Sequence, residues 1–501
     1  GGDFGGTWYW NRYPGAQCDI ESYIYLPLLE ELGTLPRMKY SDADEIFAHS
    51  RAIGRHFGLY RDACFHTAVT ALHWDEATLR WIVLTDRGDR MQARFACLAD
   101  GPFGAPKLPA IEGIERFRGR TFHTSRWDYA YTGGSPSQPL ARLHDQRVGI
   151  VGTGATAIQC VPALAQSAGQ LLVFQRTPSA VFARDNRPTD PAWAAALAPG
   201  WQAQRMGNFN RVMQGALEED QVDDALSSIT RRFSRLVATA GDRPELAQVE
   251  ALAEEADFAE MEAVRARVAA IVADPRTAEA LKPWYRVFCK RPCFNDAYLQ
   301  AFNRPNVTLV DTGGKGVNAL TETGAIAGGA HHELDCLVFA TGFEVGAAYP
   351  RRSGFEVHGT GGATLTARWA GGPRTLHGLQ ASGFPNCFFF GITQGGYTAN
   401  YTHMLYEQSA HAAHVVGELR RRGRQVAEVT EAAEAAWGAE IRRAAGAGTY
   451  LQECTPGYYN NEGQPDASRG PNYYGGGSDI FFRILAEWRA TGFMEGLVLR
   501  G

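Results

Sequence analysis

The stretch 147–175 constrains this chain more than any other. Arg147-Val148-Gly149-Ile150-Val151 is an apolar run of strand character that passes into Gly152-Thr153-Gly154-Ala155-Thr156-Ala157. An Ala-rich amphipathic segment then continues to about Ser167, and a second apolar run spans Leu171 to Phe174. Strand, glycine-rich turn, helix and second strand in this order predict a βαβ unit that binds a dinucleotide. Gly152 and Gly154 let the backbone approach a pyrophosphate, whose charge meets the amides and dipole of a helix N-terminus. Ala157 lets the helix sit close to the strand. A GxGxxA alone is weak evidence. The complete strand–turn–helix–strand context makes it strong, with a ligand-free tight turn as the plainer alternative.

The residue after the second strand selects the nucleotide. An NAD site places Asp or Glu there for the ribose hydroxyls. Here the run is Phe174-Gln175-Arg176-Thr177-Pro178, with no acid. Arg176 can grip a 2′-phosphate bidentately and Thr177 can add a hydrogen bond, so NADPH is expected rather than NADH. A solvated strand-end arginine is the alternative.

At 501 residues the chain is too long for one core and suggests roughly two or three domains. A formal net charge of −5, with no long basic run, sets nucleic acid aside as a partner. No apolar run is long enough to span a bilayer, so no membrane partner is expected and a cytoplasmic setting is the default. The nine cysteines contain no CxxC pair, and the closest spacing, Cys289 and Cys293, has no matching second pair. Neither zinc nor a dithiol centre is indicated, and free buried thiols are expected.

Upstream of the βαβ unit, residues 117–128 read Phe-Arg-Gly-Arg-Thr-Phe-His-Thr-Ser-Arg-Trp-Asp, or FxGxxxHxxxWD. This segment resembles the fingerprint of the flavin-dependent Baeyer–Villiger monooxygenases, with Phe117, Gly119, His123, Trp127 and Asp128 at the family positions. The resemblance implies two dinucleotide-binding, Rossmann-like α/β domains with a helical insertion, and FAD beside NADPH. The fingerprint would then form the joint between the two lobes. There His123 orders the joint and couples nicotinamide binding to lobe rotation, rather than acting as a general base.

Four further stretches carry the same resemblance. The opening Gly1-Gly2-Asp3-Phe4-Gly5-Gly6-Thr7-Trp8 matches a family stretch that follows a first βαβ unit, so a chain lacking that unit is expected. Gly6, Thr7, Trp8, Trp10, Arg12 and Tyr25 would line the flavin, with a structural aromatic cluster as the alternative. Asp19 would sit near the flavin ring and pair with the catalytic arginine, Glu21 being the competing carboxylate. Lys290-Arg291-Pro292 follows what reads as an apolar strand end, Val287-Phe288-Cys289. Proline keeps Arg291 out of the helical region, so the two cations project from an extended segment in opposite directions. By resemblance Lys290 meets the 2′-phosphate and Arg291 reaches the flavin. Ala340-Thr341-Gly342 ends a strand as Ala99-Asp100-Gly101 does, and it too would contact cofactor. The tail from Cys454 to Gly463 lies where the family has a loop that folds over NADP and substrate.

The expected organisation is a flavin domain, first part, at 1–135 and a nucleotide domain at 140–190. A helical insertion follows at 191–285, the nucleotide domain resumes at 286–338, and the rest of the flavin domain with the C-terminal loop occupies 339–501. The implied activity is insertion of one atom of O2 beside a ketone carbonyl by way of a C4a-peroxyflavin, giving an ester or lactone. Arg291 would be the anion stabiliser and Asp19 its partner, since a guanidinium keeps its charge where an ammonium can lose it. A nitrogen- or sulfur-oxidising flavin monooxygenase and a non-catalytic NADP-binding fragment are the alternatives. A monomer or weak oligomer is expected.

Overall fold

The computed structural model describes all residues except 242–244, 346–348, 446–453 and 464–472. Its centre is a five-stranded parallel sheet in the order Val307–Asp311, Gln170–Gln175, Arg147–Val151, Cys336–Phe339, Arg120–His123. Strand Arg147–Val151 pairs in register with both Gln170–Gln175 and Cys336–Phe339, the arrangement the βαβ reading requires. These strands are covered on both faces and accordingly read as continuous apolar runs. Helix Ala155–Ser167 packs Ile158, Val161 and Leu164 against Val148, Ile150, Leu171 and Val173 in one core cluster.

A second layer of sheet surrounds the flanking segments. Strands Val69–Asp75, Arg80–Thr85 and Arg90–Ala93 form antiparallel neighbours, joined in parallel by Glu356–His358. Ala96–Leu98 pairs in parallel with Cys387–Phe389, so residues far apart in the chain share one small sheet. The stretch 191–285 is helical where its composition changes. Helix Ala225–Thr239 starts at a capping box on Asp224, and Leu246–Ile271 runs for 26 residues. Among the described residues no helix is long and apolar enough to cross a membrane.

The structure departs from the sequence reading at four places. Residues 1–25, whose Gly-, Trp- and Tyr-rich sequence has little helical periodicity and predicts loop, contain short helices at Thr7–Trp10 and Ser22–Tyr25, closed by bonds such as Asn11 N–H to Thr7 O at 2.8 Å. Val287–Cys289 is a 3₁₀ turn rather than the end of a strand. The fingerprint is an element of the sheet rather than only a connection, since Arg120–His123 is the edge strand beside Cys336–Phe339. Finally, Cys289 and Cys454 form a disulfide, against the expectation of free thiols throughout. Their Cα atoms lie 5.3 Å apart because the C-terminal segment folds back over the 286–291 turn. Sequence spacing holds no trace of such a pairing.

Candidate active site

The glycine-rich turn has the geometry of an anion site. Gly152 adopts φ +114°, and a Cβ there would meet the carbonyl oxygen of Ala340 at 2.7 Å. Only glycine lets the two strand ends approach so closely. Gly154 caps helix Ala155–Ser167 without any side-chain cap, and a Cβ at 154 would meet nothing within 4 Å. The first-turn amides therefore face open space, as a bound pyrophosphate requires. Thr153 braces the turn by donating to the Thr177 carbonyl at 2.7 Å, and its own carbonyl accepts from Ser179 at 2.6 Å. Thr177 thus enters through its backbone. Ala157 is fully buried against the sheet.

Three cations converge beside this turn. Arg176 lies 3.1 Å from Glu462 and also donates to the Pro456 carbonyl at 3.4 Å. Lys290 donates to the same carbonyl at 3.0 Å, and Lys107 lies 3.4 Å from Glu462. Burial and the neighbouring Arg176 hold Lys290 below the usual lysine pKa, against the pull of Glu462. Desolvation acts against the charge on Glu462, but Arg176 and Lys107 outweigh it and keep that carboxyl below its ordinary range. A set of cations gathered around one carboxylate suits a nucleotide 2′-phosphate. Sequence reasoning named Arg176, Lys290 and the 454–463 stretch that holds Pro456 and Glu462, but not Lys107, which carries no motif. Residues 446–453 and 464–472, on either side of the expected covering stretch 454–463, lie outside the described residues.

Strand pairing then sets the second cluster. Val181–Phe182 pairs in parallel with Cys293–Phe294, which fixes Arg291 just before one strand and Arg184 just after the other. Arg291 donates to Asp19 Oδ2 at 2.9 Å, while Lys290 turns away to Pro456, so the two cations do diverge. The Asp19 side chain is 5% exposed and that of Arg291 44%, so a buried carboxylate anchors a half-exposed arginine. Glu21 goes elsewhere, to a bidentate pair with Arg205 at 2.7 and 2.8 Å. Arg184 also meets Asp19, on Oδ1. No motif marks Arg184; the one available signal is a cation directly after the apolar Val181-Phe182-Ala183, where burial demands a partner.

The opening stretch wraps this cluster. Trp8 donates to the Tyr25 hydroxyl at 2.9 Å, and Tyr25 is held through its carbonyl by Thr402 at 2.7 Å. Gly6 adopts φ +51° and a Cβ there would meet nothing within 4 Å, while Thr7 begins the helix that follows it. Arg12 lies over Tyr9 and Phe47 and is turned to its own neighbourhood. Trp10 stacks under the Arg126 guanidinium at 3.6 Å, tying this stretch to the fingerprint.

Within the fingerprint, Gly119 is required by close approach, because a Cβ would meet the Asp335 carbonyl at 2.6 Å and the Phe117 ring at 2.4 Å. Trp127 packs on Phe122 and donates to Thr132 at 3.1 Å. Asp128 pairs with Arg120 and caps the helix Tyr129–Thr132. His123 is buried at the end of the edge strand and packs on Phe343, directly after Ala340-Thr341-Gly342. Thr341 in turn donates to the Lys107 carbonyl. Burial pushes the His123 imidazole down to about 4, against the backbone of Gly342, so it is neutral near pH 7. A neutral, buried ring fits an ordering role better than proton transfer.

No family model matches the chain. Its relatives are decisive. It is 53% identical over 505 residues to pentalenolactone D synthase of Streptomyces exfoliatus, covering 100% of this chain and 86% of that protein. A Baeyer–Villiger monooxygenase of Streptomyces coelicolor is 49% identical over 504 residues, covering 100% of this chain and 83% of the relative. The chain belongs to the Baeyer–Villiger monooxygenase family. The solved polycyclic ketone monooxygenase of Thermothelomyces thermophila superposes with a TM-score of 0.92 at 39% identity, over 99% of this chain and 83% of that one. Another solved neighbour is a complex with FAD and NADP. As in Baeyer–Villiger monooxygenases generally, the architecture is α/β with two dinucleotide-binding domains, and the nitrogen- or sulfur-oxidising alternative yields to this family match.

The residues present suit both cofactors of a Baeyer–Villiger monooxygenase. The uncapped helix N-terminus at Gly154 and the cations at 176 and 290 suit NADPH. Gly6, open on its outer side, and the half-exposed Arg291 anchored by Asp19 suit the ring end of a flavin.

Proposed function

We propose that this chain, loaded with FAD and NADPH, oxidises a ketone of more than one ring to the corresponding ester or lactone. The observation that carries this reading is the Asp19–Arg291 pair, a buried carboxylate holding an arginine whose side chain is 44% exposed. Relatives named for pentalenolactone D synthesis and for polycyclic ketones support a substrate of that size.

Bound FAD, reduced by NADPH, supplies the oxygen-activating chemistry. The chain's own residues then divide the remaining work. Amides at Gly154 to Thr156 hold the nucleotide pyrophosphate, and Arg176 with Lys290 holds the 2′-phosphate. Arg291 presents a permanent positive charge to the ketone oxygen as negative charge develops there, and Asp19 fixes its direction. The Tyr397 hydroxyl lies near enough to Arg291 for that charge to favour its ionised form, although burial and Tyr459 act more strongly and raise its pKa to about 12. It therefore remains neutral near pH 7. His123 and Trp127 order the junction between the glycine-rich turn and the 340–343 strand end.

The domain limits proposed are 1–135 and 339–501 for the flavin part, 140–190 and 286–338 for the NADPH part, and 191–285 for the helical insertion. The setting proposed is cytoplasmic, on the ground that seven cysteines among the described residues are free against one bonded pair, and the chain is proposed to be monomeric or weakly oligomeric.

The test is turnover of bicyclic and tricyclic ketones by the holoenzyme, against a thioether as control, with lactone measured directly. Arg291→Ala is expected to bind NADPH and accept its electrons yet form no lactone. Lactone formation by that variant at the wild-type rate would remove Arg291 from the reaction.

A further inference from the structure

Asp19 has two oxygens and each is claimed by a different arginine. Oδ2 accepts from Arg291 at 2.9 Å and Oδ1 accepts from Arg184. The two cations are not equivalent. The Arg184 side chain is 4% exposed and that of Arg291 is 44% exposed, so one lies behind the carboxylate and the other in front of it.

Arg184 is held on several sides. Its Nη1 donates to the Cys18 carbonyl, one residue before Asp19, and its Nη2 donates to the Phe294 carbonyl at 2.7 Å. Phe294 belongs to the short strand that follows Arg291, and it pairs with Phe182, two residues before Arg184. The guanidinium also lies 5.5 Å from the Tyr40 ring centre. One planar fork therefore bonds the carboxylate, the backbone leading into it and the backbone leading away from Arg291. A buried guanidinium with fixed acceptors is a rigid part, because its fork loses little freedom per bond formed.

We propose that Arg184 is a positioning residue for the oxygenation, acting on Arg291 through Asp19. It does two things. It fixes the rotation of the carboxylate so that Oδ2 stays directed at Arg291. It also brings a second guanidinium to Asp19 from behind, so the carboxylate's charge is shared between two cations. Without Arg184 the whole Asp19 charge bears on Arg291, which then meets a developing oxyanion with more of its own charge compensated. The inference rests on the ketone-oxidising reading above.

The test uses the FAD-loaded enzyme with NADPH and a ketone that the wild type oxidises. Arg184→Gln is expected to lower kcat by about tenfold to a hundredfold while the KM for NADPH stays within about twofold. A larger share of the NADPH consumed should reduce O2 to hydrogen peroxide instead of forming product. If Arg184 works through Asp19, the double variant Arg184→Gln/Asp19→Asn is no slower than Asp19→Asn alone, whereas multiplied losses overturn the proposal.

Arg184→Lys keeps the buried charge but cannot reach all three acceptors at once, so it decides the matter if the Gln variant does not fold. It should lose at least about fivefold in kcat; wild-type kcat overturns the proposal. A crystal structure of the Lys variant gives a readout independent of turnover. Separation of Asp19 from Arg291 is expected, and a retained contact between them overturns the proposal. Should the wild type oxidise no ketone, the reaction reading fails, and the crystal structure still decides what Arg184 does to Asp19.

Discussion

Cys289 is bonded to Cys454 across 165 residues of chain, with their Cα atoms 5.3 Å apart. Cys289 directly precedes Lys290, and Cys454 directly precedes the segment whose Pro456 carbonyl accepts from Lys290 and Arg176. The bond therefore pins the 455–463 segment to the turn that leads into Lys290 and Arg291.

Breaking it, by dithiothreitol or by Cys454→Ser, is expected to raise the KM for NADPH by about threefold to tenfold, the scale on which an intramolecular contact loses its tether. At saturating NADPH, kcat should change little. Steady-state kinetics in the presence and absence of reductant measure this, and an unchanged KM in both the reduced enzyme and the variant would show that the tether is irrelevant to the nucleotide.

Arg176 is the charged partner most directly suited to a 2′-phosphate. Arg176→Ala should weaken NADPH by about tenfold to a hundredfold and leave NADH nearly unaffected, since a lost charge-assisted pair acts only on the phosphate that made it. The ratio of kcat/KM for the two nucleotides is the measurement. Parallel losses for both would assign the 2′-phosphate to other residues.

Two glycines of one turn should fail in different ways. Gly152→Ala forces a Cβ to within 2.7 Å of the Ala340 oxygen at φ +114°, so it should destabilise the fold by about 1–3 kcal/mol or more. Gly154 has φ −83° and free space around its Cα, so Gly154→Ala should fold normally. Its methyl group would nonetheless project where pyrophosphate approaches, and NADPH affinity should drop. Thermal unfolding and NADP+ titration separate the two outcomes; equal stability losses would contradict the assignment.

Burial lowers His123, His377 and His403 each to about 4 from an ordinary value near 6.5. The unfolded chain therefore binds more protons than the folded one between about pH 4 and 6.5. Stability from these neutral rings is complete above about pH 6.5 and is lost as pH falls toward 4. The thermal midpoint should fall between pH 7 and 5, and His377→Asn should flatten that slope. Imidazole NMR signals that titrate near 6.5 in the folded protein would refute the buried-neutral account.

Several parts of the site could be read from contiguous residues. The βαβ unit was legible because alternating apolar runs and the spacing of Gly152, Gly154 and Ala157 reflect local backbone geometry. Lys290-Arg291-Pro292 was legible for a similar reason, as proline holds the preceding residue extended and so separates its two cations. The turn at 287–289 was not: Val-Phe-Cys is apolar in a strand and in a 3₁₀ turn alike, and only docking against the long helix distinguishes them. The Val287 N–H donates to Asp257 Oδ1 at 2.6 Å, and that bond makes the choice.

What sequence alone determined is thus the nucleotide unit and its preference for a 2′-phosphate, whereas the pairing of Asp19 with Arg291 was an expectation from family resemblance. The unit and its preference follow from residues within a few positions of one another, or from motifs whose spacing is itself the signal. Tertiary structure alone decided that Asp19 serves two arginines, that Glu21 turns to Arg205, and that Cys454 closes on Cys289. Each of those pairings joins segments more than a hundred residues apart, and a buried charge or thiol takes whichever partner packing brings within reach once water is excluded.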